Sequence, residues 1–422
     1  MDRLNHIQTH GNLQARYARV RNDSETLCTP LAIEDYGVQS MDEVSPPKWH
    51  LAHTSWFFET LILKPFQAGY EAFHPLFASL FNSYYESLGD YDPQPRRGQL
   101  SRPTVAEVYR YRKHVDLHMA ALLADSAHPQ RSEIEQRTVL GINHEQQHQE
   151  LLLTDIKHIF AINPLRPVYR ELASAAGKAM PLRWVAFSGG VRTIGHTGPD
   201  FAYDNESPHH KVHLDAYELA SRPVTNGEFI EFIDAGGYRE PAYWLSDGWK
   251  VAQQHDWRAP LYWERLENQW WHMTLSGMRL VDEHAPVCHV SFYEAAAYAH
   301  WARARLPTEA EWEIAALPVA VAGNLREKDF LQPEPAQREG PLLQMYGDVW
   351  EWTQSAYSPY PGYRQQEGPL GEYNGKFMSG QIVLRGGSCV TPEDHIRATY
   401  RNFFHPWDRW QFSGLRLARD AQ

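Results

Sequence analysis

The spacing of apolar residues changes part-way along the chain. Up to about Arg170, apolar positions recur every three or four residues and glycines are few, which predicts amphipathic helices. The predicted helices are Leu4–Thr26, Trp49–Leu63, Thr104–Asp125 and Ser132–Phe160. Four such segments joined by loops favour a four-helix bundle.

The second half has the pattern of an irregular α+β domain. Gly and Pro are frequent there, and short apolar runs such as RWVAFSGGVRTIG and QIVLRGGSCV predict brief strands. Two helices are predicted between the strands, at Asn226–Ala235 and Ser291–Arg303. With ASAAGKAM at Ala173–Met180 as the linker, the expected domains cover residues 1–172 and 180–422.

Charge and composition narrow the classes of function. The 422 residues carry 40 Lys and Arg against 52 Asp and Glu, a net charge of −12, and contain no basic run, so a nucleic-acid partner is not expected. The polar start and the lack of any apolar run near about 18 residues predict a cytoplasmic protein with no membrane partner. The three cysteines are far apart in the sequence, which excludes a thiolate-rich metal site.

The segment GINHEQQHQE carries the strongest signal for a metal. His144 and His148 lie one helical turn apart, so both rings leave the same face and can converge on one ion. The same letters match the HExxH pattern of zinc peptidases, with Glu145 as general base and a carboxylate such as Glu171 completing the site. A solvated polar helix face would give this spacing as well.

A second source of imidazole lies in WHLAH, where His50 and His53 are three residues apart. An imidazole among apolar residues needs a partner, and facing helices of a bundle build metal sites in its interior. One of these rings with His144 and His148 would form a three-histidine face, although the spacing does not choose between His50 and His53. Zn, Cu, Fe and Ni all suit such a set.

Two groups of motifs resemble known families. SPPKWHLAHTSWFFET followed by NHEQQHQE resembles the DinB-type, iron-binding bundle of ergothioneine-biosynthetic sulfoxide synthases, the EgtB family. The second half resembles formylglycine-generating enzymes in RPVTNGEFIEFIDAGGY, RLPTEAEWEIAA, GDVWEWTQSAY, VLRGGSCV and FSGLRLARD. The implied fold is a DinB-like four-helix bundle followed by a C-type-lectin-like domain of the formylglycine-generating type, which would carry much of the substrate pocket.

The resemblance implies an iron-dependent oxidoreductase with small-molecule substrates. Such an enzyme uses Fe(II) and O2 to join C2 of hercynine (Nα-trimethylhistidine) to the sulfur of cysteine as a sulfoxide, and its iron ligands here would be His53, His144 and His148. Residues 395–401, HIRATYR, lack the cysteine of copper-dependent formylglycine-generating enzymes, so that activity is not expected. Three alternatives stay open: histidine as substrate, as in ovothiol synthases; γ-glutamylcysteine as thiol donor; and a zinc-dependent DinB-type thiol transferase or hydrolase.

The resemblance also implies substrate contacts. Those for hercynine are Gln147, Tyr373, Asn402, Phe403 and Phe404. One branch of the family has a catalytic tyrosine where this chain has Leu370, whereas another has a tyrosine pair in the bundle, which FNSYYESLGD supplies as Tyr84 and Tyr85. We therefore expect this chain to belong to the second branch, which the resemblance associates with free cysteine as the sulfur donor. In such an enzyme a tyrosine phenol can donate a proton to reduced oxygen.

Charged residues elsewhere divide into substrate-binding and structural candidates. The carboxylate of cysteine needs a cation, and a guanidinium can bind it in bidentate fashion, which favours Arg96 and Arg97 in PQPRRGQLSRPT. The carboxylates of RLPTEAEWE (Arg305–Glu313) and DVWEW (Asp348–Trp352) are instead expected to cap helices and to hold loops through buried hydrogen bonds.

Overall fold

The computed structural model describes residues 2–175, 177–336, 340–365 and 367–421, with side chains from Leu13 onward. Ala176, within the predicted linker, lies outside the described residues. The chain forms two compact units, Met1–Leu165 and Arg166–Gln422. In the part of the chain described, no helix is both long enough and apolar enough to cross a membrane.

The first unit is helical, and its four long helices confirm the four predicted segments. Its α-helices are α1 Asp2–Cys28, α2 Pro47–Phe58, α3 Lys64–Phe66, α4 Phe77–Leu80, α5 Val105–Ala124 and α6 Arg131–Ile162. Pro47 opens α2 at its first position, where a missing N–H costs nothing. Thr104 and Glu107 form a reciprocal capping box that begins α5.

Helix α2 lies at the centre of the first unit. Every residue from Pro47 to Phe58 is buried, and the helix packs against α5 and α6 before continuing as a π-helical turn, Glu59–Leu63. A Cβ atom on Gly141 of α6 would lie only 2.5 Å from a ring carbon of Phe58, so the glycine allows α6 to approach α2 closely. This close approach occurs one turn before His144.

The second unit is an α+β fold of short elements, which agrees with the predicted class. Its helices are α7 Asn226–Asp234, α8 Ser246–Gln254, α9 Phe292–Trp301 and α10 Glu309–Ala316. Its strands are β1 Trp184–Phe187, β2 Gly190–Ile194, β3 His210–Leu214, β4 Tyr217–Ala220, β5 Trp263–Leu266, β6 Gln269–Thr274, β7 Gly277–Leu280, β8 Trp350–Ala356, β9 Ile382–Arg385, β10 Asn402–Phe404, β11 Ser413–Leu415 and β12 Ala418–Asp420.

The strands pair into four small sheets. Their orders are β1-β4-β12, β2-β3, β5-β6-β7 and β10-β9-β8-β11. In the last sheet β8 pairs parallel to β11 and antiparallel to β9, so β8 is one of its two inner strands, with β9 the other. Tyr169 and Leu172 hydrogen-bond the β6–β7 turn at Leu275 and Ser276, which joins the segment after Leu165 to this unit.

Buried ion pairs hold the second unit together. Glu309 accepts hydrogen bonds from the guanidinium of Arg401, and Glu351 accepts hydrogen bonds from Arg416, with all four side chains buried. Glu311 closes the capping box of α10. The carboxylates of the RLPTEAEWE and DVWEW motifs therefore have the structural role that the sequence predicts, because a buried carboxylate is tolerated when it is paired.

Candidate metal centre

Helices α2 and α6 bring three imidazole rings together. Nε2 of His53 lies 3.2 Å from Nε2 of His144, and one ring nitrogen from each of His53, His144 and His148 lies within 4.8 Å of the others. Two nitrogens at metal–imidazole distances of about 2.1 Å, seen from the ion at 90–109°, would be about 3.0–3.4 Å apart. The spacing of His53 and His144 therefore suits a shared ion.

The surroundings of these rings favour the neutral form that binds metals. Burial, together with His148, lowers the pKa of His53 well below its usual value. Burial and the neighbouring His53 lower the pKa of His144, and burial and the neighbouring His144 lower the pKa of His148. All three rings therefore keep a nitrogen lone pair at neutral pH.

One hydrogen bond aims the lone pair of His53. Its Nδ1 lies 2.6 Å from the backbone oxygen of Phe81, which can only accept, so Nδ1 carries the proton. The lone pair is then on Nε2, the atom that faces His144. This is the usual arrangement for a metal-binding histidine, whose other nitrogen donates to a carbonyl or a carboxylate.

His50 has a different role from His53. Its Nδ1 lies 2.9 Å from Nδ1 of His148, and its Nε2 lies 2.9 Å from a carboxylate oxygen of Asp155. Both nitrogens of His50 are therefore engaged by protein groups. The geometry thus assigns His53 to the three-ring cluster and places His50 behind it.

The ring of His53 is held between two tryptophans of its own helix. Trp49 stacks on it at 4.5 Å between ring centres with 10° between the planes, and Trp56 lies on its other side at 5.3 Å and 15°. The three residues share one helix face because they are separated by four and three positions. The sandwich limits rotation of the imidazole.

The stack continues at both ends. Tyr85 lies 5.4 Å from Trp56, and Tyr84 stacks on Tyr85 at 4.7 Å. At the other end the guanidinium carbon of Arg97 lies 3.4 Å from the ring centre of Trp49, a cation–π contact. We call this series of groups, from Arg97 through Trp49, His53 and Trp56 to the tyrosine pair, the aromatic column.

The two arginines predicted for a carboxylate differ in position. Arg97 is buried, and it donates one hydrogen bond to Ser45 at 2.9 Å. Burial lowers the pKa of Arg97 to about 9, although Asp155 acts in the opposite direction. Its Nε has no hydrogen-bond partner among the described residues. Arg96 is mostly exposed, 3.9 Å from Asp92.

Glu145 points to another part of the bundle. Arg21 and Arg112 bind its two carboxylate oxygens at 2.9 and 3.0 Å, and all three side chains are buried. Burial acts to raise the pKa of Glu145, but the two guanidiniums outweigh it and hold the pKa below its usual value. Glu171 pairs with Arg279 at 2.6 Å. These ion pairs argue against the zinc-peptidase interpretation, in which Glu145 is the base.

The residues Asn402–Phe404 form β10, the edge strand of its sheet. Phe403 stacks on Tyr357 at 4.0 Å, and Phe404 meets Trp410 edge-on at 5.6 Å. The side-chain oxygen of Asn402 accepts the backbone N–H of Phe403 at 2.9 Å. Turning this side chain toward a ligand would break that hydrogen bond.

The remaining predicted contacts lie in different units. Tyr373 is buried after the short helical turn Pro369–Glu372 of the second unit and stacks on Tyr203 at 5.4 Å. Gln147 is half-buried on α6 of the first unit, directly before His148.

Several residues that shape the centre are not evident from the motifs. Asp155 supports His50, Phe81 orients His53, and Gly141 sets the distance between the helices. Asp155 follows His148 by seven residues, two helical turns, so the shared face is a usable signal. An isolated glycine inside a helical pattern, which costs about 1 kcal/mol relative to alanine, also indicates close packing.

Comparison with protein families divides the chain in the same way. The DinB superfamily matches residues 16–152, and the sulfatase-modifying factor enzyme 1-like domain matches residues 170–340 and 335–421. The first match contains the three histidines, and the second covers more than half of the chain.

Three similar proteins are hercynine oxygenases. The one from Mycolicibacterium smegmatis is 35% identical over 318 residues, covering 68% of this chain and 72% of the relative. That from Mycolicibacterium thermoresistibile is 32% identical over 417 residues, covering 90% and 88%. That from Mycobacterium tuberculosis is 31% identical over 404 residues, covering 89% and 91%.

The two family matches and the histidine cluster define a protein built from a DinB-type bundle, which carries the candidate metal centre, and a formylglycine-generating-enzyme-like domain. Its hercynine oxygenase relatives show that it is an oxidative enzyme. The chain belongs to the hercynine oxygenase family, as the sequence motifs predict.

Proposed function

We propose that the protein is an Fe(II)- and O2-dependent sulfoxide synthase of ergothioneine biosynthesis that joins hercynine to cysteine. The observation that carries the proposal is the set of three neutral imidazoles, His53, His144 and His148, within reach of one ion. Membership of the hercynine oxygenase family supports hercynine as the substrate.

The proposed reaction balances with one molecule of O2. The imidazole loses its C2 hydrogen, the thiol loses its hydrogen, and a carbon–sulfur bond forms between them. The sulfur is also oxidised to the sulfoxide. One oxygen atom stays on sulfur, and the other leaves as water with the two hydrogens, so O2 accepts four electrons.

The three protein ligands suit such a reaction by their charge and number. Neutral imidazoles leave the full charge of a divalent cation to attract a thiolate, and three of them leave up to three positions on an octahedral ion. When bound, Fe(II) would supply one centre at which thiolate, substrate imidazole and O2 can meet. Holding reactants together in this way is worth up to about 7–11 kcal/mol in ideal cases.

Arg97 is the proposed partner of the cysteine carboxylate. A buried guanidinium is costly without an anion, and no carboxylate lies within 4 Å of Arg97 among the described residues. Its contact with Trp49, which stacks on His53, places it beside the metal ligands. A substrate carboxylate would supply the missing charge and a bidentate partner.

Tyr85 and Tyr84 are the proposed proton donors. Tyr85 is fully buried against Trp56, on the opposite end of the aromatic column from Arg97, and Tyr84 stacks on it. A neutral phenol can give a proton to reduced oxygen, which would favour C–S coupling over simple oxidation of the thiol. We expect Tyr85→Phe and Tyr84→Phe to keep the metal and to shift product toward cysteine sulfinate; normal coupling in both variants would contradict this role.

The trimethylammonium group of hercynine needs a different kind of contact. It cannot donate a hydrogen bond, so aromatic faces and amide oxygens suit it. Phe403, Phe404 and Asn402 of β10, with Tyr373, offer such groups and remain the proposed hercynine contacts, with Gln147 as the partner of its imidazole.

Oxygen uptake and product mass test the proposal. Protein loaded anaerobically with Fe(II) should consume O2 and form the coupled sulfoxide with hercynine plus cysteine. Parallel reactions replace hercynine with histidine, cysteine with γ-glutamylcysteine, and Fe(II) with Zn(II). Faster coupling with histidine than with hercynine would reassign the imidazole substrate, and faster coupling with γ-glutamylcysteine than with cysteine would reassign the sulfur donor. A zinc-loaded protein with hydrolase or thiol-transferase activity, and an iron-loaded one inert toward O2, would contradict the proposed function.

A further inference from the structure

A chain of hydrogen bonds runs from α6 through α2 and back to a metal-binding ring. Asp155 of α6 contacts Nε2 of His50 on α2 at 2.9 Å, and Nδ1 of His50 contacts Nδ1 of His148 on α6 at 2.9 Å. Asp155 and His50 are both buried, so water does not compete freely for these bonds.

The donor and the acceptor in each of these hydrogen bonds follow from the carboxylate of Asp155, at which the chain of bonds starts. An ionised carboxylate only accepts, so a His50 ring that carries a single proton has it on Nε2, pointing to Asp155. The Nδ1 of His50 then has a lone pair and can only accept. The proton of His148 must therefore be on its Nδ1, which leaves the lone pair of His148 on Nε2.

We propose that His50 and Asp155 are positioning residues that set the tautomer and the orientation of His148 for metal binding. The inference rests on the metal centre proposed above. Asp155 is itself held, because the same oxygen accepts the backbone N–H of Ser45 at 2.9 Å, next to the start of α2. His50 and Asp155 thus do for His148 what the oxygen of Phe81 does for His53.

The chain of hydrogen bonds through His50 has a specific consequence for metal affinity. Residues that hydrogen-bond the second nitrogen of a metal-binding histidine typically contribute 10–100-fold to the affinity for the metal. We expect His50→Phe, which keeps a planar ring but removes both nitrogens, to weaken Co(II) or Fe(II) binding by about 10–100-fold. Asp155→Asn keeps an acceptor oxygen without the charge, so its loss should be smaller.

His50→Gln provides the rescue. A glutamine amide carries one acceptor and one donor side by side, as the ring of His50 does, so it can accept from His148 and donate to Asp155. We expect its affinity to lie much closer to that of the native protein than to that of His50→Phe. His118→Phe is the matched control, because the half-buried ring of His118 lies on α5 and contacts Gln67 at 2.8 Å.

The experiment is an anaerobic titration with Co(II) alone, read by the visible absorption of the bound ion and by competition with a chelator. Thermal unfolding of each metal-free variant is measured beside it. The proposal predicts weaker binding and an altered spectrum for His50→Phe, recovery of both in His50→Gln, and native binding for His118→Phe. Native affinity and spectrum in His50→Phe, equal losses in His50→Phe and His118→Phe, or no recovery in a folded His50→Gln would overturn it. Failure of the native protein to bind Co(II) or Fe(II) would instead overturn the metal centre.

Discussion

His144 and Glu145 are neighbours in the chain, yet their side chains belong to two different kinds of buried polar cluster. Glu145 lies with Arg21 and Arg112 in a cluster whose opposite charges are matched. His144 lies in the cluster of three imidazoles, in which burial and the neighbouring rings disfavour any positive charge. Helix α6 thus contributes Glu145 to a buried ion-pair cluster on one side and two imidazole rings to the three-histidine cluster on another.

The difference between Arg112 and Arg97 shows the same division. Arg112 donates to two carboxylates and two backbone oxygens, so its bonding capacity is used within the fold. Arg97 is equally enclosed, but it has one hydrogen bond to Ser45 and the face of Trp49. Matched charge indicates a structural role, whereas perturbed pKa values in a buried guanidinium or in a group of converging imidazoles indicate a binding site.

The largest expected effect comes from removing a ring of the imidazole cluster. His148→Ala should abolish measurable metal binding and turnover together, because two imidazoles from separate helices form a much weaker site. Metal content after anaerobic loading and gel filtration measures this. The metal-free variant should unfold within about 1 kcal/mol of the metal-free native protein. Retention of a full equivalent of metal would remove His148 from the ligand set.

Removing the charge at Glu145 should affect stability instead. Glu145→Gln removes the buried carboxylate that Arg21 and Arg112 share, which leaves Arg21 with Asp116 and Arg112 with Glu25. Breaking a buried ion pair typically costs about 3–5 kcal/mol. Urea unfolding of the metal-free protein measures the loss. Thr138→Val is a neutral control on the same helix, since the buried hydroxyl of Thr138 donates to the backbone oxygen of Ile134 at 2.7 Å, and its loss should cost about 1 kcal/mol. A folded Glu145→Gln that kept its metal but lost a hydrolytic activity of the native protein would restore the zinc-peptidase interpretation.

Substitution of Arg97 tests whether its buried guanidinium binds the thiol substrate. Arg97→Leu should raise the KM for the thiol substrate by about 10–100-fold, the loss of a charged hydrogen bond of about 1.5–3 kcal/mol, while metal binding is kept. Arg96→Leu is the matched control, because the exposed side chain of Arg96 pairs loosely with Asp92 at 3.9 Å, and its loss should change KM little. Equal effects of the two substitutions would show that the charge acts over a distance and not by contact.

The smallest effect concerns two buried carboxylates of the second unit that have neutral partners. Burial raises the pKa of Glu334 to about 7 and that of Asp348 to about 6. A carboxyl whose pKa is raised by folding stabilises the protein at low pH and loses that contribution as the pH rises through the raised value. Between pH 5 and pH 8 the midpoint of thermal unfolding should therefore fall less in Glu334→Gln than in the native protein. An identical pH dependence would contradict the assigned shift.

The fold could be predicted largely from the sequence, because helix spacing and motif order each agree with one architecture. The four long helices lie within a few residues of their predicted ends, since Pro47 and Thr104 give clear start signals. His144 and His148 could be paired because helical spacing alone puts them on one face.

Residue spacing alone could not choose between neighbouring candidates; the family resemblance selected His53 over His50, but it did not choose between Arg96 and Arg97. Helix α2 is buried on all sides, so its apolar pattern does not tell which face meets α6, and His50 and His53 look equivalent. Arg96 and Arg97 lie in a short 3-10 helix, Gln94–Gln99, where adjacent residues point in different directions and no pattern identifies the inner one. These choices depend on packing between segments that are distant in sequence.

The most direct test is the location of the ion. Crystals of the native protein loaded anaerobically with Fe(II), measured at the iron absorption edge, should show one anomalous peak about 2.1 Å from Nε2 of His53, His144 and His148. Glu145 should remain bound to Arg21 and Arg112 in the same crystals. A peak elsewhere, no peak between the three rings, or Glu145 turned inward to bind the ion would contradict the account.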